Sequence, residues 1–136
     1  MSRLSVKTRD FIIKTYGPNA LFDVTKEIEM FIKDIEASTG IIVVNVMGST
    51  GALVLLNPAA IEKVKSEELW NLVPVNANWK HEGNAYAHLR STVLRTSLTI
   101  PVREGKLTLG NNRVFFIENQ CSMARERHFY LTYIGK

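Results

Sequence analysis

The chain has 136 residues, 46% of them hydrophobic, a length and composition that suit one compact domain spanning residues 1–136. Its formal net charge of +4 is interleaved with acidic residues along the chain, which argues against nucleic acid as a partner. The single cysteine, Cys121, excludes an intrachain disulfide, and no apolar run is long enough for a signal peptide or a membrane span, so we expect a cytoplasmic protein without a membrane partner.

The first third of the chain predicts strands followed by a helix. Two short strands are expected between Leu4 and Tyr16, with a break at residues 17–19, where Gly and Pro occur together. Apolar residues then recur at helical spacing from Val24 to Ile35. Asp23 is the expected N-cap of this helix, and Gly40 is expected to end it.

The next segment predicts two strands and a helix. The β-branched run Ile41–Met47 is typical of a strand that is covered on both faces, and a second strand is expected at residues 52–56. Asn57-Pro58 is a helix start, because proline is tolerated at the first helical position. We expect this helical segment to continue to Val73.

The second half of the chain predicts a loop, a helix and a run of strands. The loop covers residues 74–83, and Asn84 is the expected cap of a helix that continues to about Arg95. Four closely spaced strands are expected at residues 98–102, 106–109, 113–118 and 127–134. This order of elements predicts an α+β fold with mostly antiparallel β-sheets and a few helices.

The stretch "KHEGNAYAHL", residues 80–89, contains two of the three histidines. If Asn84 caps a helix, His81 lies in the loop before it and His88 lies one turn inside, so both imidazoles can face one space near a helix N-terminus. Such a place favours phosphate or carboxylate, and two neutral imidazoles can instead share a divalent metal. The zinc motif H-E-x-x-H is rejected, because seven residues rather than four separate these histidines.

The same residues are also compatible with a packed corner that has no function. Gly-Asn is common turn and cap chemistry, and two histidines in a chain of this length are ordinary. A polar stripe runs along the predicted helix opposite two apolar residues, and it is either a solvated face or the wall of a polar pocket. The stripe consists of Asn84, His88, Ser91 and Arg95, and the apolar residues are Leu89 and Val93. The third histidine, His128, is expected to be an exposed strand residue.

Several longer segments resemble the YjbQ family, also called the secondary thiamine-phosphate synthase family. They are "GIIVVNVMGSTGALVLLN", "LVPVNANWKHEGNAYAHLRSTVL", "TSLTIPVREGKLTLG" and "VFFIEN". The resemblance implies a compact α+β domain, assembly as a homotrimer, and a small polar pocket near the subunit contacts. It also implies weak joining of the pyrimidine pyrophosphate and thiazole phosphate halves of thiamine.

Four positions match residues of the family's polar site. His81, His88 and Glu118 are the implied catalytic residues, with the histidines as acid-base or metal-contacting groups and the glutamate as their orienting partner. Arg127 matches a basic residue of the last strand. His81 and His88 are also the implied metal ligands, for zinc or magnesium.

Other positions depart from the family pattern. The usual His-Thr-Thr-Ala turn is replaced by a segment starting at Gly48, which removes a third histidine and disfavours a catalytic metal. Arg95 and Arg113 stand where the family has no charge, and an arginine fork suits phosphate. We therefore expect an anion site that draws on Asn84, Arg95, Arg113 and Arg127.

Two hypotheses remain open after this comparison. The first is a low-activity transferase that binds phosphorylated small molecules, in the manner of a thiamine-phosphate synthase. The second is a non-catalytic trimeric protein that binds an anion or a metal and has lost part of the family's site.

Overall fold

The computed structural model describes residues 3–17, 20–61, 71, 73, 84–119 and 123–136. In chain order, its elements are β1 (Ser5–Thr15), β2 (Ala20–Asp23), α1 (Thr25–Asp34), β3 (Gly40–Val46), β4 (Gly51–Leu56), a short 3-10 turn (Pro58–Ala60), α2 (Ala85–Leu94), β5 (Ser97–Arg103), β6 (Lys106–Leu107), β7 (Arg113–Glu118) and β8 (Arg125–Gly135). The predicted α+β class with mostly antiparallel sheets is confirmed.

The strands form two antiparallel sheets. One has five strands in the order β1-β8-β3-β5-β6, and the other has three strands in the order β2-β7-β4. Side chains from the inner faces of both sheets form one core together with the apolar face of α1. Phe116 of β7 and Phe129 of β8 meet there edge to face, with ring centroids 5.3 Å apart. The short helix α2 packs on β4, on the far side of the small sheet.

The beginning of the chain differs from the expected pair of short strands. β1 is one continuous strand that pairs with β8 along its whole length, from Ser5 opposite Gly135 to Thr15 opposite Arg125. A separate short strand, β2, follows residues 16–19 and pairs with β7. Asp23 is the last residue of β2, so it is not the N-cap of α1, although its Oδ1 accepts a hydrogen bond from the Thr25 N–H.

The helix α1 ends earlier than the position of Gly40 implied. Glu36 adopts a left-handed conformation with φ of 53°, and the N–H groups of Glu36 and Ala37 donate to the carbonyls of Lys33 and Ile32. These two bonds form the usual Schellman ending of a helix. Gly40 instead begins β3, where a Cβ would lie 2.2 Å from the Ile134 carbonyl oxygen, so the close approach of β8 requires glycine.

Two further expectations meet the structure in different ways. Pro58 does start a helical turn, which Asn57 caps by accepting a hydrogen bond from the Ala59 N–H. The predicted continuation to Val73 and the loop at residues 74–83 lie almost entirely outside the described residues. None of the helices in the described segments is long and apolar enough to cross a membrane.

Candidate functional site

The candidate site lies where the turn between β3 and β4 meets α2 and the ends of β7 and β8. This turn, residues 47–50, is fixed from both sides by backbone hydrogen bonds. The Met47 N–H donates to the His128 carbonyl of β8, and the Thr50 carbonyl accepts from the N–H of Asn119, directly after β7. These two hydrogen bonds therefore fix the positions of Ser49 and Thr50 at the end of the core.

His88 is attached to this turn through its side chain. Its Nδ1 lies 2.8 Å from Ser49 Oγ, and the ring is half-buried on the first half of α2. Whether the hydroxyl donates or accepts depends on the imidazole tautomer, but either arrangement fixes the plane of the ring. The helix and the turn thus hold an imidazole at a defined place, as an acid-base group or a phosphate donor requires.

Below the turn lies a buried ion pair between Glu118 of β7 and Arg127 of β8. Their exposed fractions are 0% and 4%. Arg127 Nε donates to Glu118 Oε2 at 2.7 Å, and Nη2 donates to Glu118 Oε1 as well, so the contact is a two-pronged fork. The two residues join the inner faces of the two sheets at the end where the turn sits.

Hydroxyl groups complete this ion pair. Thr50 Oγ1 accepts a hydrogen bond from Arg127 Nη2 at 2.6 Å, and Thr15 Oγ1 donates to Glu118 Oε2. Desolvated charges need such additional hydrogen bonds, because the attraction of the pair alone seldom offsets the loss of hydration. In the described part of the chain, Glu118 holds Arg127 and accepts from Thr15, and its implied role of orienting a histidine stays a prediction.

Gly48 lies against the remaining edge of the guanidinium. A Cβ built on Gly48 would lie 3.0 Å from Arg127 Nη1, and the φ of Gly48 is +111°. Both the contact and the conformation disfavour any side chain here. Gly48 thus leaves room for the Arg127 guanidinium. Because Gly48 has no side chain, the backbone of the turn is exposed next to the Nη1 atom.

One polar residue that the sequence did not single out, Asn119, belongs to the same corner and contacts Ser91 of the polar stripe. Asn119 is fully buried, and its Nδ2 donates to Ser91 Oγ at 3.4 Å. Ser91 Oγ donates to the Ala87 carbonyl within α2. Asn119 Oδ1 is buried and has no hydrogen-bond partner among the described residues. The signal available in the sequence was the pair Glu118-Asn119 directly after the apolar run of β7.

The buried side of α2 carries apolar residues in the first turn and polar residues further along. Ser91 is buried and His88 half-buried, whereas Leu89 and Val93 are 39% and 66% exposed. The buried face also includes Arg90, whose Nε donates to the Val73 carbonyl at 2.8 Å. The polar stripe predicted for this helix therefore faces the protein near its middle, which supports the pocket-wall interpretation over the solvated face.

The other residues predicted from the sequence are not all part of this corner. Asn84 stands at the N-cap position of α2 without a side-chain capping hydrogen bond. Arg95 is exposed at the C-terminal end of α2, about 10 Å along the helix axis from His88. His81, the second predicted catalytic and metal-contacting residue, lies outside the described residues. His128 is exposed on the outer face of β8, as predicted.

Arg113 lies at the far end of β7, about 17 Å from Glu118 by strand length. Its Nε donates to Asp23 Oδ2 of the neighbouring strand. Partial burial alone would raise the pKa of Asp23, but hydrogen bonds from Arg113 and Thr25 lower this pKa below its ordinary value of 3.8. Arg113 is therefore part of an ion pair between β2 and β7, away from the His88 corner.

The donor set near His88 does not assemble a metal site within the described segments. No group of three His, Cys, Asp or Glu residues comes together among them. His88 Nδ1 is engaged by Ser49, and both Glu118 oxygens are engaged by Arg127. A zinc site needs three protein ligands that converge on one point.

The sequence of residues 9–136 matches the family model described as UPF0047 protein YjbQ-like. The chain belongs to the YjbQ family. A UPF0047 protein of Methanocaldococcus jannaschii is 35% identical over 128 residues, covering 90% of this chain and 91% of that protein. The UPF0047 protein YugU of Bacillus subtilis is 28% identical, covering 90% of this chain and 96% of YugU.

Solved structures have the same fold. A YbjQ-like protein from Sulfolobus solfataricus superposes with a TM-score of 0.90 at 28% identity, covering 98% of this chain and all of that chain. A hypothetical protein from Aeropyrum pernix has a TM-score of 0.85 at 32% identity, covering 96% of this chain and 99% of its own. The resemblance that the sequence segments carried is thus confirmed for both family and fold.

Proposed function

We propose that this YjbQ-family protein binds a small phosphorylated molecule at the corner formed by residues 48–50, His88 and Arg127. The observation that carries the proposal is the placement of Arg127 Nη1 beneath the bare turn at Gly48, next to the Ser49–His88 pair. The Arg127 guanidinium, the Ser49 hydroxyl and the His88 imidazole together supply the hydrogen-bond donors that a phosphate group uses.

This corner offers hydrogen-bond donors but little net positive charge. Glu118 neutralises Arg127, so the site offers a phosphate directional donors more than net positive charge. Asn119 Oδ1, which has no hydrogen-bond partner among the described residues, is a buried acceptor in this corner that a bridging water can satisfy.

A second candidate is the weak transferase that the family resemblance implies. It would join a thiazole phosphate to a pyrimidine carried on pyrophosphate, and the leaving pyrophosphate is the group that needs stabilisation. The specific support is the bond from Ser49 to His88, which holds the imidazole ready to donate to a developing phosphate charge. Binding without turnover needs the same contacts, so only an assay separates the two candidates.

The binding proposal is tested by thermal unfolding with inorganic pyrophosphate. At about one hundred times Kd, a ligand specific for the native state stabilises it by about 2.7 kcal/mol. We expect His88→Ala and Ser49→Ala to reduce the resulting rise in Tm while the ligand-free proteins stay folded. His128→Ala and Ser97→Ala are the matched controls, because both remove an exposed side chain of the same kind elsewhere. A Tm that responds only to ionic strength would refute the site.

The transferase candidate is tested by incubating the protein with both thiamine halves and Mg²⁺ and measuring thiamine phosphate. The family activity predicts slow product formation that His88→Ala abolishes. If the protein binds pyrophosphate and forms no product, the binding proposal alone stands. If the His88→Ala variant retains full activity, the assigned role of His88 is wrong.

Metal content and assembly complete the proposal. With Gly48 in place of a third histidine, we expect zinc or magnesium to be held weakly and below one ion per chain after dialysis, as measured by elemental analysis. One tightly held ion per chain would contradict this expectation. We further propose a cytoplasmic homotrimer.

A further inference from the structure

A cleft of about 870 Å³ lies between α1 and the β5–β6 hairpin. It shares no lining residue with the His88 corner, and it lies at the opposite end of β7, where Arg113 marks its border. The volume falls in the range of small-molecule sites in proteins. Neither the proposed phosphate site nor the family's polar residues account for it.

Both ends of this cleft are fixed by hydrogen bonds. At one end, the Gly105 N–H of the hairpin donates to the Ser38 carbonyl at 3.0 Å, which ties the hairpin to the segment after α1. At the other end, Arg113 binds Asp23, immediately before α1. The two walls are therefore held apart at a set distance, and the cleft is preformed.

The floor of the cleft is apolar. Ile32 and Ala37 are buried members of the main core, and Leu107 and Leu109 pack against that core while half-exposed. Met30 stands on the rim and is 61% exposed. A ligand with an apolar body would remove this surface from water, which is favourable in proportion to the area covered.

The rim carries more cations than carboxylates. Lys26 and Lys33 of α1 and Lys106 of the hairpin make no ion pair within the described part of the chain. Glu29 and Glu36 lie on the same rim, while Arg113 is already neutralised by Asp23. The long lysine side chains can bring their ammonium groups over the apolar floor while keeping them hydrated.

We propose that this cleft binds a small amphipathic anion, such as an aryl or branched-chain carboxylate or sulfonate. The apolar body lies on Leu107, Leu109 and Ile32, and the acid group contacts Lys33 or Lys106. Inorganic phosphate and pyrophosphate bind poorly here, because they have nothing to place on the floor. The inference goes beyond the proposed phosphate site and does not depend on it.

The test uses the aryl sulfonate 8-anilinonaphthalene-1-sulfonate as the probe, titrated into the full-length folded protein and followed by fluorescence. We expect saturable binding of one probe per chain. Lys33→Glu and Lys106→Glu should each weaken it about tenfold, which corresponds to about 1.4 kcal/mol. Leu109→Glu should weaken it at least as much. Lys7→Glu is the matched control, because it makes the same charge change on β1, outside the cleft.

Several results would overturn the proposal. They are equal weakening by Lys7→Glu, loss of the probe on addition of pyrophosphate, and binding that does not saturate. A change in oligomeric mass caused by Lys33→Glu would show that the cleft is a contact between copies of the chain, and the proposal would then be wrong. Failure of pyrophosphate to raise Tm affects the His88 corner alone, so the two sites are tested separately.

Discussion

Arg95 holds a backbone conformation that ordinarily belongs to glycine. Its φ is 116° and its ψ is 158°, a region that a side chain with a Cβ enters only at a cost of about 1–3 kcal/mol. Arg95→Gly should therefore stabilise the protein by about 1 kcal/mol, because the relief of strain exceeds the added freedom of the unfolded chain.

Urea unfolding measures this effect, with Arg103→Gly as the matched control. Arg103 is an exposed residue of β5 in ordinary strand conformation, so glycine should cost about 0.5–1 kcal/mol there. Opposite signs for the two variants are expected. If Arg95→Gly also lowers the free energy of unfolding, the backbone at Arg95 is not strained.

The Glu118–Arg127 pair makes a second prediction at the scale of residues. Removing one member of a buried ion pair leaves the other charge uncompensated, which costs about 3–5 kcal/mol. Glu118→Met and Arg127→Met should each destabilise the protein by an amount in that range. The double variant Glu118→Met with Arg127→Met should recover most of the loss, because it leaves neither charge in the interior.

Denaturant unfolding of these variants forms a double-mutant cycle, and the coupling energy is its result. Thr25→Ala provides a comparison, since it removes buried hydrogen bonds of a neutral hydroxyl to Val114. Strictly additive losses in the double variant would mean that the pair is not coupled. A double variant that is more stable than the wild type would show that the pair serves the site rather than the fold.

Sequence reasoning brought only part of this corner together. His88, Glu118 and Arg127 were recognised through the resemblance, and all three meet the turn at residues 48–50. Ser49 and Asn119 were missed, because a serine and an asparagine acquire a role here only through strands that pair across long sequence distances. No local pattern around Ser49 indicates that it will face a helix almost forty residues later.

At the scale of elements, helical periodicity predicted where α1 lies and the apolar run predicted where β7 lies. The predicted ends of α1 were wrong. The Schellman ending at Glu36 is invisible to a search for glycine, since a glutamate occupies the left-handed position. The exposure of Leu89 and Val93 on α2 was also unpredictable, because helical spacing alone does not say which side of a helix is covered. That helix covers β4, where Leu94 contacts the small apolar group around Ile117, and its polar side chains meet the polar end of the core.

The Asp23–Arg113 pair ties β2 to β7 and makes a prediction about pH. The pKa of Asp23 is lowered in the folded state, so its contribution to stability is full above its ordinary value of 3.8 and is lost as the pH falls through the lower folded value. Both side chains are 34% exposed, which limits the contribution to about 1 kcal/mol or less. Asp23→Asn should therefore lower stability at neutral pH and make no difference well below the folded pKa.

Urea midpoints measured between pH 7 and pH 3 check this dependence. Asp34→Asn is the matched control, because Asp34 pairs with Arg9 on the surface with 48% of its side chain exposed. A smaller effect is expected there. A stability difference for Asp23→Asn that is constant down to pH 3 would mean that the carboxylate does not act through its charge.

At the scale of the whole molecule, the outer face of the five-stranded sheet is the feature that one chain does not explain. The sequence of β3 predicts a strand covered on both faces, yet within this chain only one face is covered. Three residues in register form an exposed apolar row across neighbouring strands, namely Val6, Ile134 and Ile41, with exposed fractions of 64%, 40% and 39%. By contrast, the apolar run Val114–Ile117 of β7 is buried within the chain.

We expect the row of Val6, Ile41 and Ile134 to be covered by other copies of the chain in the proposed homotrimer, because burying such a row removes apolar surface from water. Light scattering at micromolar concentration should give three times the mass of one chain. Ile134→Lys should shift the mass toward the monomer while circular dichroism stays that of a folded protein, since the side chain points away from the core. Leu55→Lys is the matched control, with 41% of Leu55 exposed on the other sheet, and it should leave the mass unchanged. A wild-type monomer would refute the assembly, and dissociation by Leu55→Lys alone would place the contact on the small sheet instead.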